Sequence, residues 1–300
     1  MPEISSSMTV RSYVAECIAR PNCKVGESPV WDRLTDDLYW VDITSRQFFR
    51  MPAAGGAFQS WPLPATVSAF ALRQDGGFIA ATDRGFARLD LDLERDGPVL
   101  AFGSTPDIPQ GGRMNDGACD RQGRFWSGTL SPTPAAPEAS GALYSIGRNR
   151  DLRARGGRFR VQNGLAWSPD GRRMYVSDSH VSNPHVLSFD FDPDTGERAN
   201  ATLFADYGKL GGRPDGAAID VDGCYWIAAS DSGRVLRLTA DGKIDAEIIV
   251  ATRNPTNICF GGSDLRTAYI TSLRPDGGTG GDVYAVATPF QGLAEPHYRP

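Results

Sequence analysis

Six strand-like segments of the chain each carry a polar residue at an equivalent place near their start: Glu27, Ser68, Asn115, Asn163, Asp215 and Thr256. Glu27, Asp215 and Asn163 together supply two carboxylates and an amide oxygen. That is a hard, all-oxygen donor set suited to one divalent cation: calcium, magnesium or manganese, with zinc also compatible. Three protein ligands leave coordination positions open, and a cation held so can polarise a carbonyl and lower the pKa of a bound water. Asp215 is placed to take a proton from that water. Glu27 is the other carboxylate able to do so, and the spacing does not choose between them. Arg113, two residues before Asn115, offers a planar fork of donors and a fixed charge for hydroxyls or a developing oxyanion. His180 and His185 lack the spacing of a helical histidine pair, which disfavours them as metal ligands; His180 suits substrate contact at a rim. Polar residues are common where strands leave turns, and Asn-Gly and Asp-Gly are ordinary turn chemistry. That accounts for any one member but poorly for the set. Carboxylates converging in a narrow channel repel each other, and a bound dication is the natural resolution.

The positions are equivalent because a repeat runs the length of the chain. ESPVWDRLTDDLYWVD from Glu27, SAFALRQDGGFIAATD from Ser68 and NDGACDRQGRFWSGT from Asn115 share one pattern with NGLAWSPDGRRMYVSD from Asn163, DGAAIDVDGCYWIAAS from Asp215 and TNICFGGSDLRTAYITS from Thr256. Each unit reads as a strand, a polar turn with Asp or Gly, and a second strand with an aromatic or β-branched centre. The units recur every roughly 40 to 50 residues, a period that suits a propeller blade. Third strands follow in most units, and an amphipathic helix of ordinary length is hard to place. The pattern predicts an all-β fold, a six-bladed β-propeller with blades of about four antiparallel strands, as a single domain over 1–300 with the repeat core at about 13–290. A pair of β-sandwiches is the competing architecture. Tyr13 to Ile18 would add an outer strand to the blade begun by Thr256 and close the ring. In a strand, residues an even number apart share a face. Counting back four from Trp31, Leu72, Cys119, Trp167, Ile219 and Phe260 therefore places the six polar residues in one ring at one end of the channel. Loops joining second and third strands open on that end, which brings Asp42, Asp83, the stretch after Thr129, Asp178 to His185, and Ser230 to Ser232 to the mouth.

Composition narrows the function classes. The 300 residues carry 31 Lys and Arg against 36 Asp and Glu, a net charge of -5, with no basic cluster long enough to follow a phosphate backbone. Nucleic acid is not an expected partner. The longest apolar runs, such as Val283 to Val286 and Ile248 to Ala251, fall far short of a membrane span. Met1 to Val10 lacks the pattern of a secretory signal, so a cytoplasmic protein is expected, a monomer or weak homo-oligomer. Five cysteines without CxxC spacing read as small buried hydrophobes. Trp31, Trp126, Trp167 and Trp226 recur at strand positions and are expected to pack between blades.

The chain resembles the gluconolactonase-like family, the senescence marker protein 30 or regucalcin group. The matching stretches are GESPVW at Gly26 to Trp31, RMNDGACDRQGRFWSGT at Arg113 to Thr129, NGLAWSPDG at Asn163 to Gly171, PDGAAID at Pro214 to Asp220, GRVLRL at Gly233 to Leu238 and CFGG at Cys259 to Gly262. The resemblance implies a six-bladed propeller with one divalent cation held by the residues matching Glu27, Asn163 and Asp215. It implies a hydrolase of sugar-acid lactones, with Arg113 and Asn115 at the positions that hold substrate oxygens and Asp215 as base or water-orienting carboxylate. Where animal members carry a second glutamate, this chain has Ser131-Pro132-Thr133-Pro134, with Thr133 near the equivalent place, so inherited sugar preference does not follow. The expected reaction is hydrolysis of a five- or six-membered aldonolactone to its aldonate. The alternatives are a metal-dependent esterase or phosphotriesterase on the same scaffold, and a non-catalytic calcium-binding propeller.

Overall fold

The structure, a computed structural model, describes residues 10–53, 57–92, 97–136 and 140–300. Six sheets form in chain order, and each is an up-and-down meander whose first strand is innermost. The inner strands are Gly26–Asp32, Val67–Leu72, Arg113–Cys119, Gln162–Trp167, Arg213–Ile219 and Pro255–Gly261. Each touches the inner strand of the blade before and after it, and the last touches the first, so the ring is closed.

Five apolar clusters fill the spaces between neighbouring sheets. The four tryptophans lie in them as expected. Trp126 packs against Trp167 with ring centroids 5.7 Å apart, and Trp31 stacks on Tyr269 at 5.4 Å. Two of these rings hang on a recurring buried carboxylate. Asp120 accepts from Trp126 Nε1 at 2.8 Å and pairs with Arg124, and Asp220 accepts from Trp226 Nε1 at 2.9 Å and pairs with Arg237. Repetition of the ring-to-carboxylate link follows from the repeat itself: a buried indole N–H needs an acceptor, and the turn aspartate of the same hairpin is within reach. All five cysteines are unpaired, and four are buried.

The chain start departs from the expected single strand at Tyr13 to Ile18. It divides at the buried Ala15, whose N–H donates to the carbonyl of Ile249 at 2.9 Å. Arg11–Val14 runs parallel to Ile244–Ile249 as a fifth strand of blade 5. Glu16–Ala19 runs antiparallel to Val283–Ala287 as the fourth strand of blade 6. One short segment thus covers two sheet edges that would otherwise present unpaired backbone. At the other end, residues 288–300 cross the face opposite the mouth. Leu293 bonds to Ile219 of blade 5, Arg299 to Gly123 of blade 3 and Tyr298 to Leu72 of blade 2.

Candidate active site at the axial channel

Every inner strand carries a β-bulge near its start. The register shifts fall between Glu27 and Val30, Val67 and Ala69, Met114 and Gly117, Asn163 and Ala166, Pro214 and Ala217, and Pro255 and Asn257. A bulge sets two residues against one and turns the strand, so side chains before it no longer share a face with those after it at even spacing. Glu27 pairs with Val41 and Trp31 with Leu38, and these two partners belong to different interblade clusters. The even-spacing argument for the ring is therefore corrected: Trp31 goes between the sheets, and the bulge re-aims Glu27 to the axis. Two backbone positions make that turn. Ser28, directly after Glu27, has φ of 52°, and Gly164, directly after Asn163, has φ of 61°. The Ser28 conformation is one that side chains rarely adopt, and its hydroxyl holds it by accepting from Phe70 N–H at 3.1 Å.

Four of the six ring candidates gather. Arg113 donates to Asn115 Oδ1 at 2.5 Å, and Asn115 Nδ2 donates to Asn163 Oδ1 at 3.0 Å. Asn163 Nδ2 donates in turn to Ser179 Oγ at 2.6 Å, and Ser179 donates to the carbonyl of Pro214, next to Asp215. This chain of donors across blades 3, 4 and 5 fixes which way both amides face. Asp215 lies near enough to Glu27 for that carboxylate to raise its proton affinity, and Arg113 feels both charges. Ser68 and Thr256 are not in this group. Their hydroxyls bond to main-chain carbonyls of the next blade, Ser68 to Asn115 at 2.9 Å and Thr256 to Gly26 at 2.5 Å, so they tie blades together. His180 stands on the rim loop of blade 4 with Nδ1 2.7 Å from Ser182 Oγ, and its hydrogen bonds do not reach the axial group. Thr133 is exposed on the loop following the second strand of blade 3.

Two residues of the group escaped the sequence argument. Asn257, one place beyond Thr256, donates to Glu27 Oε2 at 3.0 Å across the ring seam. The deciding feature is the bulge, which in blades 2 and 6 leaves a single residue, Ser68 or Thr256, between the paired positions where the other four blades leave two. Asp116 follows Asn115 and is buried, with Oδ2 accepting from Leu165 N–H at 3.1 Å. The sequence pattern alone gives it no role, yet it adds a third carboxylate to the group. Room for Asn257 depends on Gly216, where an added Cβ would lie 2.0 Å from the Asn257 side chain. Gly216→Ala is accordingly expected to lower stability by about 1–3 kcal/mol and to weaken whatever Glu27 binds, as read from urea midpoints and cation titration. Unchanged values in both would show that Asn257 can move aside freely.

The electrostatics are those of an anionic well. Burial raises the proton affinity of Glu27 and Asp215, with Asp116 adding to it at Glu27 and both Glu27 and Asp116 adding to it at Asp215. Burial likewise pushes Asp116 up to about 6, against the hydrogen bonds it accepts. Burial pulls Arg113 down to about 10, opposed by Glu27 and Asp215. Two guanidinium groups thus stand against three carboxylates, and one of them, Arg213, which opposes the rise at Asp215, is already paired with Asp231. Asp215 takes no hydrogen bond from any described residue, which leaves its oxygens free as donors to a ligand. Among the described residues no three His, Cys, Asp or Glu side chains form a metal cluster by themselves. The donor set completed by the Asn163 amide is nonetheless hard and oxygen-only, and its surplus negative charge fits a divalent cation. A stability prediction follows. Carboxyl groups whose proton affinity is raised by folding stabilise the fold while protonated, and that stability is lost as pH rises through their folded pKa values. The cation-free protein is expected to lose stability between about pH 5 and pH 8, with a saturating divalent cation restoring progressively more of it across the same window. A flat urea midpoint over that range, with or without cation, would contradict it.

Arg113 also borders open space at the rim. A cleft of about 820 Å³ opens beside Arg113 between blades 2 and 3, with Ser131, Pro132 and Pro134 on its far wall. Deeper in the channel a small cavity of about 50 Å³ is bounded by Asp116, Asn257 and Glu295. Glu295 comes from the tail that closes the opposite face, and burial raises its proton affinity against the pull of Arg121.

Residues 25–274 match the family described as SMP-30/Gluconolactonase/LRE-like region. The chain is 39% identical over 292 residues to a 6-deoxy-6-sulfogluconolactonase from Pseudomonas putida, covering 94% of this chain and 97% of that protein. It is 34% identical over 267 residues to regucalcin from Oryctolagus cuniculus, covering 88% of each. The solved structure of a calcium-binding protein, regucalcin, from Agrobacterium tumefaciens superposes with a TM-score of 0.87 at 24% identity, over 97% of this chain and all of that one.

Proposed function

Since the chain belongs to the SMP-30/gluconolactonase/LRE-like family, we propose that it hydrolyses the lactone of a sugar acid to the free acid, at the axial group and with a divalent cation bound there. The observation that carries this reading is the convergence of Glu27, Asn163 and Asp215 from three blades with Arg113 and Asn115 beside them. The sulfogluconolactonase relative supports the substrate class.

Glu27, Asn163 and Asp215 would hold the cation, which supplies Lewis acidity toward the lactone carbonyl and lowers the pKa of a bound water. The rest falls to the protein. Asn163 presents Oδ1 to the channel because Ser179 takes its Nδ2. Glu27 is held by Asn257 and by the Ser28 N–H at 3.0 Å. Asp215, which takes no hydrogen bond from the described residues, orients the attacking water and receives its proton at a carboxylate oxygen. A lactone is an activated ester, so a carboxylate of moderate basicity suffices as that base. Arg113 and Asn115 bind the substrate's oxygens, with the guanidinium opposing negative charge as it builds on the former carbonyl oxygen. His180 serves as a rim contact for the sugar hydroxyls. The ring oxygen leaves as the alkoxide and takes up the proton held by Asp215, giving the aldonic acid, which ionises to the aldonate.

The test is acid release from a panel of sugar lactones by the cation-free protein before and after adding each of calcium, magnesium, manganese and zinc, with spontaneous hydrolysis subtracted. Saturable turnover that appears with a cation and disappears with chelator is the expected result. Undiminished turnover by the fully stripped protein would overturn the role of the cation, and absence of turnover on every lactone would overturn the reaction.

A further inference from the structure

The cleft beside Arg113 carries recognition chemistry that ring opening does not require. It runs from Arg113 to the turn of blade 2 at Asp83 and Arg84, and its volume is larger than an unsubstituted sugar lactone fills. Arg84 is exposed and forms no ion pair with any described carboxylate. Its guanidinium carbon instead lies 4.9 Å from the centroid of the Phe102 ring. Its main chain is pinned on both sides, the N–H donating to Thr82 Oγ1 at 2.9 Å and the carbonyl accepting from Thr105 Oγ1 at 3.3 Å. Asp83 has one carboxylate oxygen buried in the wall with no hydrogen-bond partner.

Both features point to a ligand. A buried acceptor left unsatisfied is costly, and an incoming hydroxyl would satisfy it. An arginine stacked on a ring keeps its charge and loses rotamer freedom before anything binds, so little further ordering is needed to grip an anion. There is also no intramolecular ion pair to break first. Arg84 and Arg113 line the cleft with Asp83 as the one carboxylate among its lining residues, a surplus of one positive charge in a chain of net charge -5, and Arg84 is the one of the two that does not also face the axial carboxylates.

We infer that this cleft is a subsite for the tail of a sugar lactone bearing an anionic group, with Asp83 accepting from a tail hydroxyl and Arg84 binding a phosphate ester, sulfonate or carboxylate at the tail's end. The inference rests on the lactonase reading above. Such a substrate is the product of a reaction that oxidises the anomeric carbon of an already charged sugar.

The experiment measures kcat/KM of the cation-loaded protein on gluconolactone, 6-phosphogluconolactone, 6-deoxy-6-sulfogluconolactone and glucarolactone, with Arg84→Gln beside the unsubstituted chain. At least one charged lactone is expected to be preferred over the neutral one, and its identity distinguishes the three anions. Arg84→Gln should reduce the charged-to-neutral ratio about tenfold or more, as loss of a charge-assisted hydrogen bond predicts, with the change in KM. Added salt should lower the same ratio in the unsubstituted chain. A ratio that neither the substitution nor salt moves, or equal rates on neutral and all charged lactones, would overturn the subsite. If no lactone is hydrolysed, the lactonase reading fails separately, and calorimetric titration with the corresponding aldonates then decides the subsite. Tighter binding of a charged aldonate that Arg84→Gln abolishes would support it, and equal affinities would sink it.

Discussion

Asp215→Asn should reduce kcat on the best sugar lactone by about a thousandfold, in the range set by losing a general base. The substitution keeps the shape of the side chain and the free position it occupies, but an amide cannot take a proton from water. It also removes one of three buried carboxylates that repel each other. Stability should therefore move the opposite way from activity. In the absence of cation the variant is expected to unfold at equal or higher urea concentration than the unsubstituted chain at neutral pH, since a charge that folding had to bury is gone. That split identifies a group placed for chemistry at the expense of the fold. Undiminished turnover, or a variant that is both inactive and much less stable, would show that Asp215 acts as a structural residue.

Arg113→Lys comes second in expected size, a loss of about a hundredfold in kcat/KM. Lysine preserves the charge that offsets Glu27 and Asp215. Arginine reaches both Asn115 Oδ1 at 2.5 Å and the Met114 carbonyl at 2.8 Å through Nη1, which leaves the rest of its fork for substrate, and lysine has no second nitrogen to offer. Because the Asn115 amide is oriented by that fork, its Nδ2 contact to Asn163 should loosen as well. The fall should appear in kcat more than in KM if the guanidinium meets charge that develops only during attack. A fall confined to KM would instead make Arg113 a ground-state binding residue, and no fall at all would remove it from the site.

Much of this arrangement was legible beforehand because each repeat is self-announcing. The turn aspartates, the strand tryptophans and the spacing of the hairpins specify six sheets, and the polar residues preceding Val30, Ala166 and Ala217 mark where chemistry gathers. What pattern could not supply is the bulge. Hydrophobic alternation assumes an unbroken pleat, and one extra residue reverses parity without altering composition. That is why Thr256 stood in for Asn257, and why Ser68, which ties two blades, looked like a member of the ring. Asp116 was hidden differently. Its carboxylate is satisfied by main-chain N–H groups of the next blade, a partner in space with no trace in the local sequence. The division of the chain start between two sheets was invisible for the same reason, since both partner strands lie more than two hundred residues away.

Glu27 and Asn257 sit on opposite sides of the seam where the last blade meets the first. A ribosome therefore exposes Glu27, the first of the proposed ligands, long before the partner that orients it exists. Early blades can collapse as they emerge, but their terminal faces stay unmatched until the final one arrives, and contacts this distant in sequence form late. Capture of the proposed cation should accordingly be the closing event of biogenesis. In refolding experiments its onset would time the moment the circle becomes complete.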